Sequence, residues 1–332
     1  MDIENPYVEI KDIDPKVLQY YEQRYDVLHF SLLNQIDFEF LGNKEQRICR
    51  FCRKSEPDVT FEKIAHVIPE STGNQFLASY YECDVCNKKF GRQLEAEFAN
   101  FSQFYHNAMN IHGKKKVPEY QSKNGKSKAA WKKVDGQEKI FMMRDSTDNI
   151  TTTIDLEKKT LRRTGTVPAY VPIAVFKCFV KMAISLMPEN EVENFKDTID
   201  WILNKKHSNF YTADKKLLVR YRMIPGFNVT KYPACFLYRR KPQIWQGPYM
   251  LFSLTYGCFA YFIEVPTSKD GAFHHIMNIP FPILPFKTSS EGFFDLTSCD
   301  KKHDDIQSIE YQFDTALEVT GLMKDLTAAD LF

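Results

Sequence analysis

A chain of 332 residues is long enough for two domains, each with its own core. With 43% hydrophobic and 26% charged residues it reads as an ordinary soluble globular protein, and a formal net charge of +1 excludes a polycation. Any nucleic-acid surface therefore has to come from local clustering of charge. The first residues, MDIENPYVEIKD, have neither the basic start nor the apolar run of a signal peptide. Residues 13 to 33 mix Leu18, Tyr21, Val27 and Leu32 with charges and read as a helix or two. Next come two Cys-x-x-Cys pairs, Cys49/Cys52 and Cys83/Cys86, with His66 between them. Each pair puts two thiolates on one tight turn, and four such ligands suit a closed, tetrahedral zinc site that staples a fold. Between the pairs, residues 59 to 64 (VTFEKI) alternate like a half-buried strand, and Pro69 and Gly73-Asn74 mark a loop. Asn74 is open to two readings, a simple turn residue or one that orients the histidine. A helix is expected from Asp84 to about Phe101, with Leu94, Phe98 and Phe101 on one apolar face.

Residues 112 to 136 change character. Eight lysines stand between Lys114 and Lys133 against a single acid, Glu119, which reads as a mobile basic arm or a solvated loop. Short strands follow over 139 to 163, then an apolar helix over 172 to 187 that starts at Pro172 and ends before Pro188. Its only charges, Lys177 and Lys181, are four apart and share one face. A second helix is expected over 189 to 204, and beyond Lys215 the chain is strand-rich. The nearly uncharged stretch Gly247 to Val265 is better read as two buried strands joined at Gly257 than as a membrane span. Cys178, Cys235, Cys258 and Cys299 stand singly and read as core, which suits a reducing cytoplasm.

The order Cys-x-x-Cys, Ala65-His66-Val67-Ile68-Pro69, Gly73-Asn74, then Cys83-Asp84-Val85-Cys86-Asn87 resembles the HNH, or ββα-metal, endonucleases that carry a zinc-knuckle staple. The resemblance covers about Arg47 to Phe101, and its form looks like a subgroup common in bacteria and often suspected of restriction or anti-phage roles. It implies a zinc-stapled ββα-metal nuclease domain, and with the residues around it the chain reads as α+β: that domain with an N-terminal helical extension over 1–111, a basic arm or linker over 112–137, and a separate mixed α/β domain over 138–332, expected to set target choice or hold the nuclease in check. It implies structural zinc on Cys49, Cys52, Cys83 and Cys86, a general base at His66, and a catalytic Mg²⁺ or Mn²⁺ near Asn87. DNA is the implied substrate, with Lys114, Lys115 and Lys116 as phosphate contacts. A homo-oligomer or a defence-system partner is a further expectation, and no membrane.

The chain departs from the family pattern in two places. Many members carry an acidic metal ligand immediately before the histidine, where this chain has Ala65. Glu70, Glu95 and Glu97 are the acids near enough in sequence to substitute, and Glu70 is the preferred one. The basic or histidine residue usual three positions after the asparagine is Phe90 here. Two rival readings follow, a zinc-stapled binding module whose nuclease centre is inactive and a nuclease that cuts RNA. Tyr238, Arg239, Arg240, Lys241 and Trp245 could stack on bases and hold phosphates, or could be no more than a strand end and its rim.

Overall fold

The computed structural model describes residues 14–33, 38–113, 115–145, 148, 151–208, 216–224, 230–270, 276–282, 288, 290–303 and 305–312. The architecture is α+β. Its largest element is a six-stranded antiparallel sheet in the order Tyr25–Leu32, Thr230–Arg240, Met250–Gly257, Phe259–Glu264, Leu218–Met223, Ser290–Asp295. The two central strands are buried at every position, so both faces of the sheet are covered. Alternation sorts their side chains. Phe252, Leu254, Tyr256, Phe259 and Tyr261 enter the main core, while Leu251, Ala260 and Phe262 join a smaller cluster with Tyr21, Tyr25 and Phe281.

The stretch that could pass for a membrane span is the hairpin of those two strands. Gly257, at φ +57°, makes the corner, and a Cβ there would lie 2.3 Å from Ile111 Cδ1. No helix among the described residues is long and apolar enough to cross a membrane.

Two elements differ from expectation. Residues 13 to 33 are not all helical: helix Pro15–Arg24 is followed by the strand Tyr25–Leu32, which pairs with Thr230–Arg240. Phe30 stacks on Phe236 across that pair, a long-range contact that outweighs local helical preference. The stretch 112–137, expected as a mobile arm or linker, holds strands Tyr120–Gln121 and Lys128–Val134, which form a three-stranded sheet with Gln137–Met143. Asp135 and Gly136 both have positive φ, as a two-residue hairpin turn requires. Trp131 Nε1 donates to the Asn107 carbonyl at 2.6 Å and ties that hairpin to the helix before it.

Helix Pro172–Leu186 sits at the centre of the molecule, with all fifteen of its residues buried. Its N-terminus is satisfied by Glu97, whose Oε2 accepts from Val171 N at 2.8 Å. Arg50 closes its other end, donating to the carbonyls of Ile184 (2.6 Å) and Met187 (2.9 Å) and lying 3.7 Å from the Tyr81 ring centre. A guanidinium there meets the negative end of the helix dipole. The main core runs without a break from Cys49 and Phe90 through Phe98 and Phe179 to Tyr256 and Tyr261, so the regions before and after 112–137 share it.

Candidate active site and thiol cluster

Cys49, Cys52, Cys83 and Cys86 converge so that their four Sγ atoms all lie within 4.8 Å of one another. Sulfurs at the corners of a zinc tetrahedron with bonds of about 2.3 Å stand about 3.8 Å apart, and Cys52 Sγ lies 3.7 Å from Cys83 Sγ. The backbone builds this cluster from two tight turns. Arg53, at φ +63°, closes the first by donating its N–H to the Cys49 carbonyl, and Asn87 N donates to the Cys83 carbonyl in the second. Four thiols in one pocket cannot all ionise without a cation. The hydrogen bond from Cys86 pulls Cys49 down to about 5, whereas burial pushes Cys83 up to about 12. The donor set and spacing fit zinc, and among the described residues this is the one group of three or more such side chains close enough to hold a metal.

His66 ends a two-residue strand, Ala65–His66, that pairs antiparallel with Leu77–Ser79, while Glu39–Leu41 pairs parallel on the far side. The expected strand over 59 to 64 is instead an irregular run. Its backbone is taken up by Asp84, which accepts from Thr60 Oγ1 (2.5 Å), Lys63 N (2.9 Å) and Glu62 N (3.1 Å). Burial would raise the Asp84 pKa, but those donors outweigh it and hold the carboxyl below its ordinary value. Asn74 is fully buried and staples the loop beyond His66: Nδ2 donates to Ile68 O and Leu77 O, and Oδ1 accepts from Phe76 N and Leu77 N. It is a structural asparagine that sets the path of the backbone carrying the histidine. Glu70 starts a short 3₁₀ turn closed by Gly73 at φ +91°, and its Oε1 lies 3.6 Å from His66 Nε2.

The helix after the second cysteine pair runs Asp84–Phe90, then one π turn, Gly91–Glu95, then Ala96–Ala108. Two α turns span about seven residues, and an i→i+5 turn adds roughly one more. Asn87 and Glu95, eight apart, therefore come round to the same side, while Leu94 is left fully buried. Asn87 Nδ2 donates to the Ile64 carbonyl at 3.3 Å, which leaves the amide oxygen as the atom to offer a cation. His66, Glu70, Asn87 and Glu95 line one groove of about 630 Å³, with Lys63 and Lys116 on its walls.

The structure thus brings together His66, Glu70 and Asn87, and sets Lys116 along the same groove. Lys115 is exposed, and Lys114 lies outside the described residues. Glu97 caps the central helix and does not line the groove, so it is no substitute ligand. Phe90 is buried against Phe51. Cys299 is exposed rather than core. Of the C-terminal group read as able to meet bases, Tyr238 is buried, Arg239 pairs with Glu191 and Asp26, and Lys241 bonds the Glu22 carbonyl. Trp245 alone of these is largely exposed, at 79%.

Sequence reasoning missed Lys181. Its Nζ lies 3.0 Å from the His66 carbonyl oxygen, 3.1 Å from Glu82 Oε2 and 3.4 Å from Glu95 Oε1. Burial alone would lower its pKa, but the carboxylates of Glu82 and Glu95 outweigh burial and hold it above the ordinary lysine value. The available signal was a charge in an otherwise apolar helix.

Residues 49–102 match the family model described as HNH endonuclease. No curated protein and no solved structure matches the chain.

Proposed function

We propose that the HNH domain at residues 49–102 is the catalytic part of a metal-dependent endonuclease that hydrolyses phosphodiester bonds of DNA. The observation that carries this reading is the meeting of His66, Asn87 and Glu70 in one groove, beside a four-thiol cluster that suits structural zinc. His66 acts as the general base that takes a proton from the attacking water, since a neutral imidazole is well populated near pH 7. The Asn87 amide oxygen and the Glu70 carboxylate are hard oxygen donors of the kind Mg²⁺ or Mn²⁺ takes, and they stand in for the acid that Ala65 does not provide. Asn87 and Glu70 would hold such an ion, which would supply charge stabilisation for the phosphate and the leaving 3′ oxygen. Lys115 and Lys116, with Lys114 beside them in sequence, hold the backbone of the substrate through its phosphates. The setting is the cytoplasm, as the single unpaired cysteines suit, and the role is defence or restriction, as a homo-oligomer or with a defence partner, which follows from the resemblance.

A second reading, an inactive zinc-stapled DNA- or partner-binding module, draws on Ala65 and on Phe90, which is buried and offers no chemistry. Incubating the purified chain with supercoiled plasmid, or with RNA, in Mg²⁺ or Mn²⁺, with and without chelator, separates these. Plasmid nicking that chelator abolishes and H66A removes is the expected result. Binding without cleavage in either metal supports the inactive module, and cleavage confined to RNA moves the substrate.

A further inference from the structure

Lys181 lies outside the HNH match, on the central helix Pro172–Leu186, yet it ends directly behind the groove. An ammonium has three donors and no acceptor. The three nearest acceptors belong to three different parts of the HNH unit: the carbonyl of His66 on the hairpin, Glu82 immediately before the second cysteine pair, and Glu95 on the π turn. The ammonium also lies 6.0 Å from the Phe90 ring centre. Lysine and Glu82 are almost fully buried, while Glu95 keeps 26% of its side chain exposed, toward the groove that it lines. A buried charge is costly unless it is paired on all sides, and this one is.

The hairpin strand that presents His66 is two residues long. So short a ladder fixes little by itself, and the helix that presents Asn87 and Glu95 is a separate element. Asp84 and Asn87 tie the start of that helix to residues 60–64, ahead of the strand, and Lys181 adds a bond from His66 itself to the Glu95 turn. We propose that Lys181 is a positioning residue for the nuclease centre, holding the His66 strand and the Glu95 turn in fixed register from outside the HNH domain. This rests on the nuclease reading above. The centre is then complete only when the central helix is docked, and a change in the C-terminal region can reach the groove through one side chain.

The test uses the full chain. K181M keeps the stem and removes the charge, but strands two carboxylates, so K181M/E82Q/E95Q is made beside it to remove the whole charge set. E95Q alone cuts one link at the partly exposed end. The readouts are zinc content, cleavage rate against Mg²⁺ or Mn²⁺ concentration, and amide hydrogen exchange over residues 65–67 and 77–79. The expected result for the triple variant is full zinc, cleavage slower by roughly 10- to 100-fold, a higher half-saturating metal concentration, and faster exchange in both strands. E95Q shifts each in the same direction by less. A zinc-loaded triple variant with wild-type metal dependence and wild-type exchange overturns the proposal, as does a folded E95Q variant whose exchange over residues 65–67 and 77–79 matches wild type. A wild-type chain that cuts nothing defeats the nuclease reading, whereas hydrogen exchange in the variants still decides whether Lys181 holds the hairpin.

Discussion

Two successive turns in the middle of the central helix put the same residue type in opposite surroundings. Lys177 and Lys181 are one turn apart on one face and both are fully buried. Lys177 meets a backbone carbonyl, Asn204 O at 3.2 Å, and the Trp201 ring at 4.9 Å. Burial pushes its pKa down to about 8. Lys181 meets two carboxylates and is held above its ordinary value. Burial is common to both, so the difference lies in the partners. The Lys177 turn meets the neighbouring helix Lys196–Leu203 and its cap Asn204; the Lys181 turn is wired into the HNH unit. Carboxylate partners from another region hold one buried lysine above its ordinary value, while a carbonyl and a ring leave the other below it.

The largest effect that tests this contrast is loss of the thiol cluster. C83S is expected to lose its zinc and to loosen residues 47–101, because binding energy at such sites is folding energy. Hydrogen exchange should then rise in the Lys181 half of the central helix and stay slow in the Lys177 half. Equal loss in both halves, or full zinc occupancy in C83S, would break the comparison.

Next in size is H66A, expected to cut slower by about 10²–10⁴-fold with zinc and fold intact, since a general base contributes about that much. Cleavage at the wild-type rate would make His66 structural. N87A acts differently: the metal titration should move to higher concentration, and an unchanged titration removes Asn87 from the site.

The two lysines are then compared directly by denaturant unfolding. K181M is expected to cost about 3–5 kcal/mol, the usual penalty for leaving a buried charge without its partner, while K177M at pH 7 is neutral or stabilising. Their pH dependences have opposite signs. The Lys177 value is depressed from about 10.4 in the unfolded chain, so between about 8 and 10.4 the unfolded state binds the extra proton and stability rises with pH. The Lys181 value is raised, so its contribution is full below about 10.4 and is lost as pH climbs through its folded value. K177M should flatten the rise between about 8 and 10.4, and an unaltered slope would assign it elsewhere. The smallest effect is at Lys116 on the groove wall and its exposed neighbour Lys115. Neutralising exposed Lys115 and Lys116 should lower the salt slope of DNA binding by roughly 2 units if both meet duplex phosphates, and no change leaves them solvated.

Local chemistry was legible in the residues themselves. Paired cysteines on tight turns, His66 between them and Asn87 directly after the last cysteine are short-range features, and backbone geometry brings their thiols and side chains together within one short segment. The apolar helix over 172 to 186 and the Gly257 corner were readable for the same reason, since periodicity and a single permissive residue decide them. The hairpin over 128 to 143 had its signal in Asp135-Gly136, masked by the lysines around it.

What only tertiary structure decided is long-range. Tyr25–Leu32 is a strand because Thr230–Arg240, two hundred residues on, offers it an edge. The π turn that brings Glu95 round to Asn87 leaves no mark in composition, because one extra residue in a helix changes phase and not periodic character. Lys181 had the same sequence signal as Lys177, a charge on an apolar face. Which way each pKa moves depends on whether Glu82 and Glu95 or a carbonyl and a ring wait at the other end, and electrostatics at a few ångströms depends on partners that the chain supplies from elsewhere in the fold.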